Sequence, residues 1–219
     1  ISKYSNGYLE GKGNRKKVVT YDIDGIGKSL NEIKKNGNGA VQIDGIIQFE
    51  TPGSEGNSGY SVDATVNLNL TGKDSYWTGH MQSDYPDSVQ EGNEGPKHLN
   101  LSLSDGAQWN PTYYDQVEQG PSANFEAVHE VTLNDGVINI TDNRIVADVK
   151  NLKGTGGTIN LVSNVGSDGI ETGKVNFTGD VDANTLVSVN AVGITSDDVE
   201  NIQEALNSIN GAVKGSNHK

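Results

Sequence analysis

Leu99–Asn110 reads LNLSLSDGAQWN, and the same plan appears twice more. Thirty residues on, Val131–Thr141 reads VTLNDGVINIT; thirty-three residues earlier, Val66–Thr78 reads VNLNLTGKDSYWT. Each copy is an alternating strand, a tight polar turn and a second alternating strand. Asp105-Gly106 and Asp135-Gly136 supply turns, because Gly reaches positive φ without steric cost. Self-similarity at this period marks stacked repeats, none of which buries enough apolar surface alone. Period-two spacing then points Leu101, Leu103, Trp109, Val131, Leu133, Ile138 and Ile140 into one continuous core.

The composition suits many short strands. Gly makes up 28 of 219 residues, Pro only 5, aromatics 6% and hydrophobic residues 33%. A thin, elongated core needs fewer apolar residues than a spherical one. The net charge of −13 argues against nucleic acid, which demands clustered basic charge. Arg15-Lys16-Lys17, the one basic cluster, reads as a solvated turn. There is no cysteine, which fits a secreted chain that must stay unfolded while crossing an envelope. No apolar run reaches the ~20 residues a membrane-spanning helix needs. Ile1 starts directly in polar sequence, without a signal peptide, which suggests an excised fragment and leaves a secreted origin open.

Strand patterns run from Lys17 through VVTYDIDG and GAVQIDGIIQFET, with turns at Asp24-Gly25 and Asp44-Gly45. Residues 29–35 fit a helical turn or another strand. Two long polar excursions, 80–98 and 111–126, protrude as loops from the repeat. From Val131 the strands come quickly, with turns at Asn134–Gly136, Asp142-Asn143, Lys153–Gly157 and Asp168-Gly169. Over 195–213, Val199, Ile202, Leu206, Ile209 and Val213 recur at helical steps behind a Thr195 or Ser196 cap. The tail 214–219 reads as disordered. The resulting division is rungs with loops over 1–130, a closing β segment over 131–194, an amphipathic helix over 195–213 and the tail. Segment 131–193 is also the expected folding nucleus, since its strands make local contacts.

Chemistry is sparse. His80, His98, His129 and His218 show no metal-ligand spacing. Thiol catalysis is excluded, and no G-x-S-x-G elbow occurs. Asp22 with Asp24, or Asp84 with Asp87, could form a sugar-cleaving pair drawn from adjacent rungs, although turn acids in water explain them as well. Asp-rich turns could take Ca²⁺, but no D-x-D-x-D-G run is present. Trp77 and Trp109 occupy equivalent places in two repeats, so they fit rung packing better than sugar stacking. Tyr85, Tyr113, Tyr114 and Phe125 lie in the excursions among acidic residues. Such aromatics supply contact area at low entropy cost, which makes this the candidate partner surface. No cofactor is expected, and no catalysis.

The chain also resembles the C-terminal passenger region of bacterial type V autotransporters of the pertactin-like kind. Leu101, Leu103, Gly106 and Trp109 match the family's L-x-L-x-x-G-x-x-W strand. Asn151, Leu152, Gly154, Gly156 and Gly157 match the N-L-x-G-x-G stretch that opens its autochaperone segment. The likeness covers roughly Val66–Gly193 and extends loosely into the helix. The stretch Ser163–Lys174 departs from it, lacking the family's D-x-[LI]-x-[IV] strand. The resemblance implies an all-β, right-handed parallel β-helix (a solenoid) with a short C-terminal α-helix, displayed on the bacterial cell surface. It implies a stalk and folding nucleus of an adhesin or self-association protein. A host surface protein, a glycan or another copy would be the partner, and an outer-membrane barrel absent from this chain would belong to the parent. Two other classes stay open: a polysaccharide lyase or hydrolase on the same fold, and a phage or surface fibre module.

Overall fold

The computed structural model describes residues 16–24, 40–50, 61–84, 97–113, 123–166, 169–182, 184–193 and 213–218. Their strands stack as a β-solenoid. One face consists of β1 (Lys16–Asp24), β4 (Ser61–Thr71), β7 (Lys97–Ser104), the first half of β10 (Val128–Ile140), the first half of β11 (Val146–Gly166), β13 (Lys174–Val181) and β15 (Val213–His218), in that order. Every neighbouring pair is parallel. The second face stacks β2 (Gln42–Asp44), β5 (Tyr76–Thr78), β8 (Gln108–Asn110), the second halves of β10 and β11, and β14 (Leu186–Val192), again all parallel. The third side is shorter. There β6 (Met81–Asp84) pairs parallel with β3 (Ile47–Glu50) and antiparallel with β9 (Ala123–Glu126).

Alternation along each strand builds the core. In β7, Leu99, Leu101 and Leu103 are buried while the residues between them are half-buried on the outside. Register then stacks like on like: Leu68 on Leu101 on Val131 on Leu152, and Trp77 on Trp109 on Ile138 on Ile159. All these residues belong to one continuous cluster, which also takes in Leu133 and Ile140 and runs unbroken through residue 131. The outward column of the second face is an asparagine ladder. Asn139 Nδ2 donates to Gln108 Oε1 and Asn110 Oδ1, Asn160 donates to Asn139 at 2.7 Å, and Asn190 donates to Asn160 at 3.0 Å. Each amide thus ties one rung to the next.

The Asp-Gly turns differ from a tight turn that reverses the chain. Strands β7 and β8 flank Asp105-Gly106, yet both pair parallel with β10. The chain bends by one corner and continues around the core. Asp105 and Asp135 adopt φ of 53° and 65°, a left-handed conformation that Asp tolerates better than bulky residues. Asn134–Gly136 is a bulge inside β10, and Lys153–Gly157 is a corner inside β11. Close approach explains two glycines there. A Cβ on Gly156 would collide with the carbonyl oxygen of Leu186, and one on Gly157 with that of Gly136.

Three further expectations change. Within the tail expected to be disordered, Lys214–His218 belongs to β15 (Val213–His218), which lies beside β13, so Val213 starts a strand instead of closing a helix; Lys219 lies outside the described residues. The proposed helix over 195–212 lies outside the described residues, as does the ambiguous segment 29–35. Stretches 80–98 and 111–126 are not loops throughout, since β6 and β9 occupy parts of them and β7 begins at Lys97. Between Ser163 and Thr172 the chain forms the antiparallel pair of β11 with β12 (Gly169–Thr172).

Candidate partner-binding surface

The third side is where the rungs differ from one another. Beneath it Phe49 and Met81 join the core. His80 is buried at the start of β6, and its Nδ1 lies 2.7 Å from Thr112 Oγ1. Burial pushes the His80 imidazole below its usual range, against a hydrogen bond to Gln82 that raises it. Pro111 is buried next to this bond, and the chain then emerges at Tyr113, which is 44% exposed.

Tyr113 does not stand alone. The Arg144 guanidinium lies over its ring, 4.6 Å from the centroid. Arg144 belongs to the short corner between β10 and β11, one rung further on. Its Nε and Nη2 donate to the two oxygens of Asp142 at 3.0 and 2.7 Å, and its backbone N–H donates to Asp142 Oδ1. Hydrogen bonds from Arg144 hold the Asp142 carboxyl down at about 2. Asn143 Nδ2 donates to Glu171 Oε2 on β12, at 2.7 Å. Tyr113, the 142–144 corner and Glu171 therefore form a polar ridge across successive rungs. A cation held over an aromatic face and bound bidentately to a carboxylate is pre-organised, so little side-chain entropy is lost when a partner docks.

A second feature lies on the first face. An open groove of about 500 Å³ is lined by Glu130, Asn151, Lys153, Asp180, Asp182 and Asn184, among others. Lys153 Nζ pairs with Glu130 Oε1 at 2.6 Å. Asn151 Oδ1 accepts the Asp180 N–H, and Asp182 Oδ1 accepts from Asn184. The groove thus gathers carboxylates and one lysine from neighbouring rungs.

Of the four aromatics expected at a partner surface, Tyr113 alone has a described side chain. Tyr85 and Tyr114 lie outside the described residues. The backbone of Phe125, in β9, pairs with Gln82 of β6, but the Phe125 side chain is outside them. The side chains of Asp22, Asp24 and Asp84, and the whole of Asp87, are likewise outside. Trp77 and Trp109 are 0% and 2% exposed, stacked 5.5 Å apart at 5°, so they present no face to a sugar. Each indole N–H donates to a corner carbonyl one rung earlier: Trp77 to Gly45 and Trp109 to Gly79. Among the described residues no three His, Cys, Asp or Glu side chains converge as a metal centre requires, and no helix is long and apolar enough to cross a membrane. Sequence reasoning missed Arg144, Glu171 and the groove.

No protein-family model, curated protein or solved structure matches the chain.

Proposed function

We propose that this chain is a non-catalytic stalk segment of a surface-displayed bacterial passenger of the autotransporter kind. It holds partner-contacting excursions on one side of a rigid β-solenoid. The observation that carries this reading is how the repeated chemistry is used. Both tryptophans, the leucine columns and the asparagine ladder are all engaged in stacking rung on rung. A column built this way is a spacer. The third side, with Tyr113 and Arg144 exposed on it, is the surface left for a host protein, a glycan or another copy. The resemblance of Leu101–Trp109 and Asn151–Gly157 to passenger motifs supports the same reading. The test is display. Antibodies raised against the purified chain should label intact cells of the source organism; labelling that requires permeabilised cells would remove the proposal.

One observation favours a second reading, a polysaccharide lyase or hydrolase. The groove at Glu130, Lys153, Asp180 and Asp182 draws ionisable groups from adjacent rungs, the arrangement carbohydrate cleavage uses. Against it, Lys153 is already neutralised by Glu130. Turnover of an acidic polysaccharide by the purified chain, abolished by Asp180→Asn, would establish the enzyme and displace the stalk.

A further inference from the structure

The second face ends at β14, whose only partner among the described strands is β11. The first face runs one rung further, but β15 pairs with β13 and leaves the outer edge of β14 without a described partner. Nothing in Leu186–Val192, LVSVNAV, guards that edge: it has no charge, no Pro and no bulge against β11. Leu186 and Val192, at its two ends and on its outward side, are 77% and 48% exposed. The asparagine ladder also stops here, and it has a direction. Asn190 donates to Asn160, Asn160 to Asn139, Asn139 to Asn110, and Asn110 to Thr78 Oγ1. Its last member therefore keeps an accepting oxygen, Asn190 Oδ1, to which no described residue donates. The Ser188 hydroxyl, two residues earlier on the same side, is likewise uncommitted among the described residues.

We propose that this edge binds a second copy of the chain, the two β14 strands running antiparallel about a two-fold axis through Val189. The strand is complementary to itself in that register. Leu186 of one copy lies opposite Val192 of the other, Ser188 opposite Asn190, and Val189 opposite its own counterpart. Directly opposed side chains share one side of an antiparallel pair, so they meet. The two exposed apolar side chains of β14 then cover each other. Each Ser188 hydroxyl donates to the open Asn190 Oδ1 across the axis, which closes both ladders at once. An isologous contact of this kind occupies both edges and stops at two chains. Head-to-tail stacking, the other way to bring a copy here, lacks this match. The ladder's column begins at the opposite end of the second face with Asp44. Its carboxylate already accepts from the Tyr76 hydroxyl and offers Asn190 Oδ1 no donor.

The test is sedimentation equilibrium of the full chain across a wide range of concentration. A monomer–dimer equilibrium that stops at two is expected. Leu186→Glu and Val192→Lys, both at exposed positions, should each raise the dissociation constant roughly tenfold. Mixing the two variants should restore dimers, because the acid introduced at 186 then faces the amine introduced at 192. In the unmodified protein, the β14 amides should exchange with D₂O more slowly as concentration rises, a readout that stands even if a variant fails to fold. Growth beyond two chains would mean head-to-tail stacking. Protection of β14 that is equal at every concentration would mean that another segment of the same chain covers the edge. Either result overturns the proposal, as do a monomer throughout, a dimer that neither variant weakens, or a mixture that restores nothing.

Discussion

The passage from β10 to β11 and the passages before it build the same two faces from very different lengths of chain. Asn139 and its ladder partner Asn160 are 21 residues apart, whereas Asn67 and its partner Asn100 are 33 apart. The inward residues are equivalent: Val131 and Ile138 stack on Leu152 and Ile159 as Leu68 and Trp77 do on Leu101 and Trp109. Most of the surplus falls on the third side. Between β10 and β11 that side is only the corner 141–145, while residues 79–96 separate β5 from β7. Two faces are thus enough to stack a rung, and the third side is free to vary in length. Stability resides in the columns, and variation, with the partner contacts it allows, resides beside them.

The largest test of that division is Trp109→Ala. It removes a ring stacked on Trp77, strips Gly79 of its hydrogen-bond donor and opens a cavity in the column. Urea unfolding followed by circular dichroism should show a loss of ~3–5 kcal/mol. An equal loss from truncating Tyr113 on the third side would break the comparison. A smaller effect is expected from Asn160→Ala, which removes both the donor to Asn139 and the acceptor for Asn190. The amides are only partly buried, so water replaces some of what is lost, and the same measurement should give about 1 kcal/mol.

The columns were legible in the sequence, and most of the third side was not. Leu101, Trp109, Leu133 and Ile138 could be placed because alternation and repeat spacing agree on them. The corners were not, because Asp-Gly chemistry serves a hairpin and a solenoid corner alike. It specifies positive φ but not the direction in which the chain leaves. The ladder of Asn139, Asn160 and Asn190 was not legible, since unequal rung lengths hide their alignment until register is known. Tyr113 could be guessed from its place beside an excursion. Its partner Arg144 could not, because the contact depends on a corner from the next rung. Strand β15 was hidden because VKGSNH has little alternation of its own and takes its place by pairing with β13.

Acid should sharpen the comparison from another direction. Burial lowers His80 below 6.5, so the unfolded chain binds the proton more readily than the folded one. The contribution is therefore fully present above about 6.5 and is lost as pH falls below that toward the folded value. The thermal midpoint should drop between about pH 7.5 and pH 5.5. The drop should shrink in His80→Gln, since His80 anchors the base of the third side through Thr112. A drop of unchanged size in that variant would place the acid-sensitive group elsewhere.

The smallest expected effect on stability comes from the largest change in sequence. Replacing residues 85–96 and 114–122 by short Gly-Ser turns keeps β6, β9, Tyr113 and every column intact. Loop-closure entropy grows only logarithmically with length, so shortening each segment should change stability by about 1 kcal/mol or less. Removing Met81–Asp84 as well should cost more, because Met81 is buried and β6 pairs with both β3 and β9. The two shortened segments carry Tyr85 and Tyr114, so attachment to host cells or cell–cell aggregation should weaken while the urea midpoint holds. Loss of binding without loss of stability would separate the two roles along the boundary between columns and third side. Unchanged attachment would move the contact to the ridge of Tyr113, Arg144 and Glu171, where Arg144→Ala then becomes the deciding variant. A fall in stability as large as that of Trp109→Ala would show that the excursions belong to the core after all.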